Sequence, residues 1–454
     1  MSRGQCGRRL VPEQKSSRED HKAQRRVYPL QGSIAAKKDC ALISRMQQAQ
    51  ALHQEGRLDD ARRLCEEVLQ EVPGRFEALS LLALIAAQRG EFERAVAAYD
   101  RVIAVKPDFA DGYSNRAASF AALGRAQDAL ANFDRAIAID PAHVEAHLGR
   151  AIVWLSQGDF SRGWHEFEWR WKMPQGRAME KRKRISQPLW LGAGDIAGKT
   201  ILLHSEKGLG DTLQFCRFAK SVHALGATVL LQVQGALVEV LEDIEGVSQV
   251  FADTQQAPPF DVHCPLLSLP LALKIELATI PGEKYLRMPL ARIARWRARL
   301  GEHSTPRIGL VWRGDPDNPI DGTRSLALAQ LLSRLPARFR YVSLQRELNE
   351  SEQRLVAAQS LEFSQSQDLN FSETAALCGC LDLVISVDTS VAHLSGALGQ
   401  KTWIVLPFIP DCRWLQDRRN SPWYGSATLY RQARSGDWDG VLTRVAADLN
   451  REFA

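Results

Sequence analysis

Four short stretches decide the first half of the chain: QEGRLDDA at residues 54–61, QRGEFERA at 88–95, ALGRAQDA at 122–129 and SQGDFSRG at 156–163. Superposed, they place Gly56, Gly90, Gly124 and Gly158 at a constant spacing of 34; Ala61, Ala95 and Ala129 keep that period, and so do Pro73, Pro107 and Pro141. Each residue type has a physical task. A glycine between two helices takes the positive φ that a side chain resists. An alanine sits where two helices approach closely. A proline stops the second helix. Between them, Ala95, Tyr99 and Val102, then Ala129, Phe133 and Ala136, recur at helical spacing.

This period and placement resemble the tetratricopeptide repeat, a helix–turn–helix unit of 34 residues. Full repeats are expected over 42–75, 76–109 and 110–143. A fourth copy starts at Val144 and drifts: Gly163 replaces the packing alanine, and Trp164, Phe167, Trp169 and Trp171 follow in GWHEFEWRWK. A last repeat has to cover the open apolar end of a solenoid, and an aromatic cap does so; a carbohydrate-stacking patch is the other reading. The resemblance implies an α-solenoid over residues 41–175 whose groove takes a partner protein or peptide. Such an array performs no chemistry by itself.

Outside the repeats, residues 1–40 hold ten Lys/Arg against four Asp/Glu, while the whole chain of 454 residues carries a formal charge of +5. The remainder is therefore close to neutral, and charge gives no case for nucleic-acid binding. The 1–40 tail reads as disordered and solvated, a membrane-surface or nucleic-acid contact being the alternative. No apolar run is long enough to span a membrane, and the basic start lacks the apolar core of a signal peptide. Eight scattered cysteines show no paired zinc spacing. They read as thiols in a reducing cytoplasm, where the chain is expected.

Past the repeats, residues 176–198 read as a basic, Gly/Pro-containing surface linker. From Thr200 short apolar strands (ILLHS, TVLLQV, VSQVFAD) alternate with helical stretches, and the pattern restarts at RIGLVW, RYVSLQ, DLVISV and KTWIVLP. Such alternation implies parallel sheets covered by helices. Two Rossmann-like lobes are expected, at 199–295 and 296–454, with ligand in the cleft at their strand ends.

Four stretches could carry chemistry there. In HSEKGLGDTLQFCRF, 204–218, Gly208 and Gly210 permit a sharp strand-to-helix turn. Asp211 either caps that helix or waits at the cleft mouth as a general base. In DTSVAHL, 388–394, Asp388 or Thr389 would cap a helix whose free amides suit a phosphate. Ser390 would add a hydroxyl, and His393, three residues on, shares its face; the bland reading is a capped crossover helix. In GLVWRGDPDNPIDGTRSL, 309–326, Arg313 and Arg324 could neutralise a diphosphate or simply be solvated. In 410–432, Trp414 and Trp423 interleave with arginines, suiting either a stacked base or acceptor or plain packing.

Together, QPLW, ILLHSEKGLGDTLQFCRF, IGLVWRGD, ISVDTSVAHLSGALG, RWLQDRRNSPWY and LYRQ resemble the heptosyltransferase-like family, glycosyltransferase family 9, in its repeat-fused branch. The resemblance covers about 186–432 and implies a GT-B fold. It also implies a hexosyl- or heptosyl-type transferase: inverting, independent of metal and cofactor, and using a nucleotide-diphosphate sugar as substrate. Asp211 then matches the family's base. Asp388, Thr389, Ser390 and His393 match its donor-binding stretch, with Gly208, Gly210, Arg313 and Arg324 beside them. The acceptor would be a protein or glycan recruited by the repeats. Arginines stand where lipopolysaccharide heptosyltransferases place a lysine, which leaves the donor open. Two alternatives remain: a repeat scaffold with a non-catalytic GT-B half, or an enzyme tethered peripherally to a membrane complex.

Overall fold

The computed structural model describes residues 31–183, 185–206, 208–288, 290–302, 304–317, 321–358, 362–363 and 369–454. Most of the expected basic tail, residues 1–30, lies outside them, as does Lys207. The chain divides into two compact units at the Ala78–Leu79 boundary.

In the first unit, helix α1 (Gln31–Gln54) packs on α2 (Leu58–Glu71). α1 starts at Gln31, inside the expected disordered tail; Ala35, Ala36, Lys37 and Lys38 are good helix formers and extend the repeat's first helix upstream. Arg45 reaches along the pair to Glu71 at 2.6 Å.

The second unit continues the repeats through α3 (Phe76–Gln88, begun just before the boundary), α4 (Phe92–Val105), α5 (Ala110–Ala122), α6 (Ala126–Ile139), α7 (Val144–Ser156) and α8 (Phe160–Phe167). The four period-keeping glycines all have positive φ, at 76, 73, 74 and 81°, and Ala61, Ala95 and Ala129 are fully buried. The period extends to polar contacts. Arg116 bonds Asn132 and pairs with Asp100; one repeat on, Arg150 bonds Glu166 and pairs with Asp134. Gly163 replaces alanine because the helices close further there: a Cβ would lie 2.6 Å from Leu155 Cδ2.

The expected linker is not extended throughout. Pro174–Lys183 forms a helix, α9, opened by a proline at its first position and carried by Ala, Met, Glu, Lys and Arg.

Both sheets are parallel, as the strand–helix alternation implies. The first has the order β3-β2-β1-β4, from β1 (Thr200–His204), β2 (Thr228–Val233), β3 (Gln249–Ala252) and β4 (Val262–Pro265). The second comprises β5 (Arg307–Val311), β6 (Arg340–Ser343), β7 (Glu362–Phe363), β8 (Leu383–Val387), β9 (Thr402–Leu406) and β10 (Ala427–Arg431), in the order β10-β9-β8-β5-β6-β7. Strand order reverses between β1 and β4 and again between β5 and β8. At such switch points two connections leave in opposite directions and open a crevice at the strands' carboxyl ends. The expected lobe boundary at 295/296 falls inside the helix Leu290–Leu300. That helix belongs with the second sheet: its Trp296 and Arg292 bond Glu373 on the helix Phe371–Cys378.

Two joints fix the last repeat to the sheets. Trp423, 1% exposed, packs its ring near Phe160 of α8 and near Phe215 and Phe218 of the first sheet's layer. Arg170, just past α8, is buried against Glu206 after β1, through Nε and Nη2 bonds of 2.9 Å each, and Ser268 completes the cluster. In addition, α7 packs on the turn Cys412–Trp414, and the α5–α6 turn at Gly124 abuts Phe408 and Ile409.

Candidate functional site

The crevices of the two sheets open into one cavity of about 1030 Å³, walled on a third side by Ile152, Leu155, Phe160, Trp164 and Phe167 of α7 and α8. Every residue expected to act except Trp414 lines it: Gly208, Gly210, Asp211, Arg313, Arg324, Asp388, Thr389, Ser390, His393 and Trp423.

From the first sheet, the chain leaves β1 and turns through Gly208 into helix α10 (Leu209–Phe215). Asp211 caps that turn, accepting the Gly208 N–H at 3.1 Å with Oδ2. Its other oxygen accepts from Arg413 Nη2 at 2.7 Å. The capping role and the cleft position are thus held by the same carboxylate.

From the second sheet, β8 ends at Val387 and the helix Ser390–Ala397 starts three residues on, with no side-chain cap. Thr389 Oγ1 turns to Ser386 Oγ at 3.1 Å. The first-turn amides have no partner within a helix and carry its positive end. The two helices meet at Gly210: a Cβ there would lie 2.7 Å from His393 Cδ2 and 3.6 Å from Ser390 Cα. Only glycine lets the Asp211 loop and the amide-rich helix start lie this close.

Arg413 is the hub. Nε gives to Asp411 Oδ1 at 2.8 Å, Nη2 to Asp211, and Nη1 to Gln214 Oε1 at 3.0 Å and His393 Nε2 at 3.3 Å. Burial works against its charge, but Asp411, Asp211 and Asp388 outweigh it and raise its pKa well above the ordinary value. Burial likewise disfavours the Asp388 and Asp411 carboxylates. His393 and Arg413 hold Asp388 below its usual range, and Arg413 does the same for Asp411. His393 Nε2 lies between Arg413 Nη1 at 3.3 Å and Asp388 Oδ1 at 3.7 Å, and its Nδ1 lies 2.8 Å from Tyr424 Oη. Burial lowers the His393 pKa below 6.5 against the opposing hydrogen bond to Asp388, with Arg413 adding to the lowering.

Several expectations are corrected. His393 shares a face with Ser390, but its ring stacks on Trp414 at 5.3 Å and both nitrogens face protein groups rather than open space. Trp414 is 0% exposed and cannot stack a base. Trp423 touches the cavity only from within an aromatic core, its Nε1 donating to the Arg413 carbonyl at 2.8 Å. Large aromatics in an irregular segment resemble a ligand platform, but here they fill the junction. Arg313 is not a loose anion clamp: it binds Glu352 at 3.0 Å and the Glu347 carbonyl at 2.5 Å. Burial disfavours the Glu352 carboxylate, yet bonds from Arg313 and Trp312 hold its pKa low. Arg324 shares its charge with Asp321 at 3.1 Å.

Sequence reasoning passes over Asp411, Arg346 and Gln345, which also line the cavity, and names Arg413 only as one of several arginines that could clamp a base or sugar. Arg346 and Gln345 lie just past β6, and the rule that ligands bind beyond strand carboxyl ends points to them. No sequence signal pairs Arg413 with Asp211, 202 residues away. Among the described residues, no group of three or more His, Cys, Asp or Glu is arranged to hold a metal ion, and no helix is long and apolar enough to cross a membrane.

Comparison with known proteins supports the repeats. The tetratricopeptide-repeat family matches residues 52–118 and 114–163, so the helical part is a module of the kind that binds other proteins. Protein FlbA of Caulobacter vibrioides is 25% identical over 435 residues, covering 89% of this chain and 72% of FlbA. Among solved structures, the thermophilic repeat protein TTC0263 of Thermus thermophilus is 23% identical, with a TM-score of 0.27, over 29% of this chain and 74% of its own. A MamA crystal structure is 20% identical, with a TM-score of 0.28, over 31% of this chain and 79% of its own.

Proposed function

We propose that the chain is a glycosyltransferase with a GT-B arrangement of its two sheets, moving a sugar from a nucleotide-diphosphate donor to a protein or glycan acceptor that the repeats recruit. One observation carries this: Asp211 from one switch point and the uncapped start of helix Ser390–Ala397 from the other line the same cavity. A diphosphate fits the helix start, where amides and the helix dipole favour anions. Asp211 faces that site as the group to accept a proton from an acceptor hydroxyl. Amides and arginines would steady the leaving diphosphate without requiring a metal.

A second reading, a repeat scaffold whose α/β half only binds, is favoured by the engagement of both Asp211 oxygens within the protein, one by Arg413 and the other by the Gly208 N–H. A thermal-shift panel of UDP-, ADP-, GDP- and CMP-sugars separates the two. Stabilisation by one of them, followed by nucleotide release that Asp211→Asn abolishes, supports the transferase. Stabilisation by none supports the scaffold, and full activity in Asp211→Asn removes that residue from the mechanism.

A further inference from the structure

Among the described residues, four aspartates (Asp211, Asp315, Asp388, Asp411) and four arginines (Arg313, Arg324, Arg346, Arg413) line the cavity, so their formal charges balance. A diphosphate would bring negative charge into this balance. Arg313 already serves Glu352, and Arg324 serves Asp321. Arg413 stands apart by position: its guanidinium reaches Asp211 from the first sheet, and it touches His393 in the first turn of the helix expected to meet the phosphates. Its donors are all engaged, Nε and Nη2 by Asp411 and Asp211, Nη1 by Gln214 and His393. A phosphate oxygen can therefore win Arg413 only by displacing one of these partners. Asp411 is held twice, through Nε and Nη2, and is two residues away in the chain. Gln214 and His393 are also held by one bond each, but an arriving anion repels a carboxylate and not these neutral groups. Of the two carboxylates, Asp211 is held by one bond from the opposite sheet, so it is the partner to leave.

We propose that Arg413 is a donor-operated latch on Asp211: without donor it holds the carboxylate, and an arriving diphosphate takes the guanidinium and frees the carboxylate as base. The proposal rests on the transferase reading and adds an order of events, donor before catalysis. In the step that follows, the acceptor hydroxyl gives its proton to Asp211 and its oxygen forms a bond to the anomeric carbon. The bond from that carbon to the diphosphate oxygen breaks, and its electron pair stays on the diphosphate, now beside Arg413. Arg413 is thus a positioning residue before transfer and a charge partner during it.

The test is a thermodynamic cycle on the full chain, with UDP, ADP, GDP and inorganic pyrophosphate as probes in calorimetric titrations. Removing the latch's partner should help the ligand. Asp211→Asn is expected to tighten diphosphate binding about tenfold, within the usual range of coupled equilibria. Arg413→Gln should weaken it, and adding Asp211→Asn to Arg413→Gln should restore nothing. A merely structural pair predicts the opposite sign, since losing Asp211 would then loosen the site. Equal or weaker binding by Asp211→Asn overturns the latch while leaving the donor reading standing. An equal gain in both backgrounds also overturns it, because simple charge removal would suffice. No binding of any probe to wild type or Asp211→Asn overturns the latch and the donor reading together. Should Arg413→Gln fail to fold, Arg413→Lys takes its place: it keeps the charge but has a single attachment point, and the Asp211→Asn gain should shrink at least about threefold in that background.

Discussion

Gly210→Ala tests whether the close approach of two helices builds the cavity. The added Cβ would lie 2.7 Å from His393 Cδ2, 3.4 Å from its Nε2 and 3.6 Å from Ser390 Cα. Relief to ordinary contact needs a shift of about 0.7 Å, and overpacking of this kind costs about 1–3 kcal/mol. His393 cannot easily yield, being 2% exposed, bonded to Tyr424 and stacked on Trp414. Helix propensity returns up to about 1 kcal/mol for replacing glycine. The net expectation is a loss of about 1–2 kcal/mol, or about 2–6 °C in unfolding midpoint. The same shift separates Asp211 from the helix start, and displacements near 1 Å can cost about a hundredfold in rate. Differential scanning calorimetry and nucleotide release from the best-binding sugar donor measure the two effects. A variant as stable and as active as wild type would refute the packing argument.

Gly163→Ala restores the residue of the other repeats, yet it should lower the midpoint, because the Cβ would meet Leu155 Cδ2 at 2.6 Å in a fully packed site; calorimetry showing stabilisation would mean α7 and α8 can separate freely. Arg170→Ala leaves the Glu206 carboxylate buried without its main partner. Breaking such a pair costs about 3–5 kcal/mol, which chemical denaturation should resolve; a loss under about 1 kcal/mol would show the cluster to be open to water. The lowered His393 pKa means that the unfolded chain takes up a proton before the folded one does. Its contribution to stability is therefore complete above pH 6.5 and declines as pH falls below that value. His393→Gln should flatten the midpoint-against-pH curve in that range, and an unchanged slope would deny the burial assigned to the ring.

The repeats are readable because their constraints are local and periodic. Positive φ at Gly90 and close packing at Ala95 recur every 34 residues, and chance rarely repeats both. Strands such as LVISV at 383–387 are readable because parallel strands are buried on both faces and read as continuous apolar runs. β10 is harder: ATLYR mixes a polar tail with apolar residues and sits beside arginines, and it reads as part of a ligand-stacking segment. The helix α9 hides in a charged stretch with no apolar stripe. In the site, Asp211 and the 388–393 stretch are visible because a strand–turn–helix junction puts polar residues at a strand's carboxyl end. Arg413, Glu206 and Arg170 are not, because their meaning lies in partners supplied by distant parts of the fold. Trp414 and Trp423 show the converse error, since side-chain chemistry alone does not tell a platform from a core.

The joint between α7 and the 412–414 turn has a consequence for how such chains can vary. Among the described residues of the second unit, no repeat before α7 lines the cavity. The final module differs: its Phe160, Trp164 and Phe167 are both buried packing and chamber wall. A substitution at one of these aromatic positions therefore alters the repeat's own packing and the chamber's outline at once.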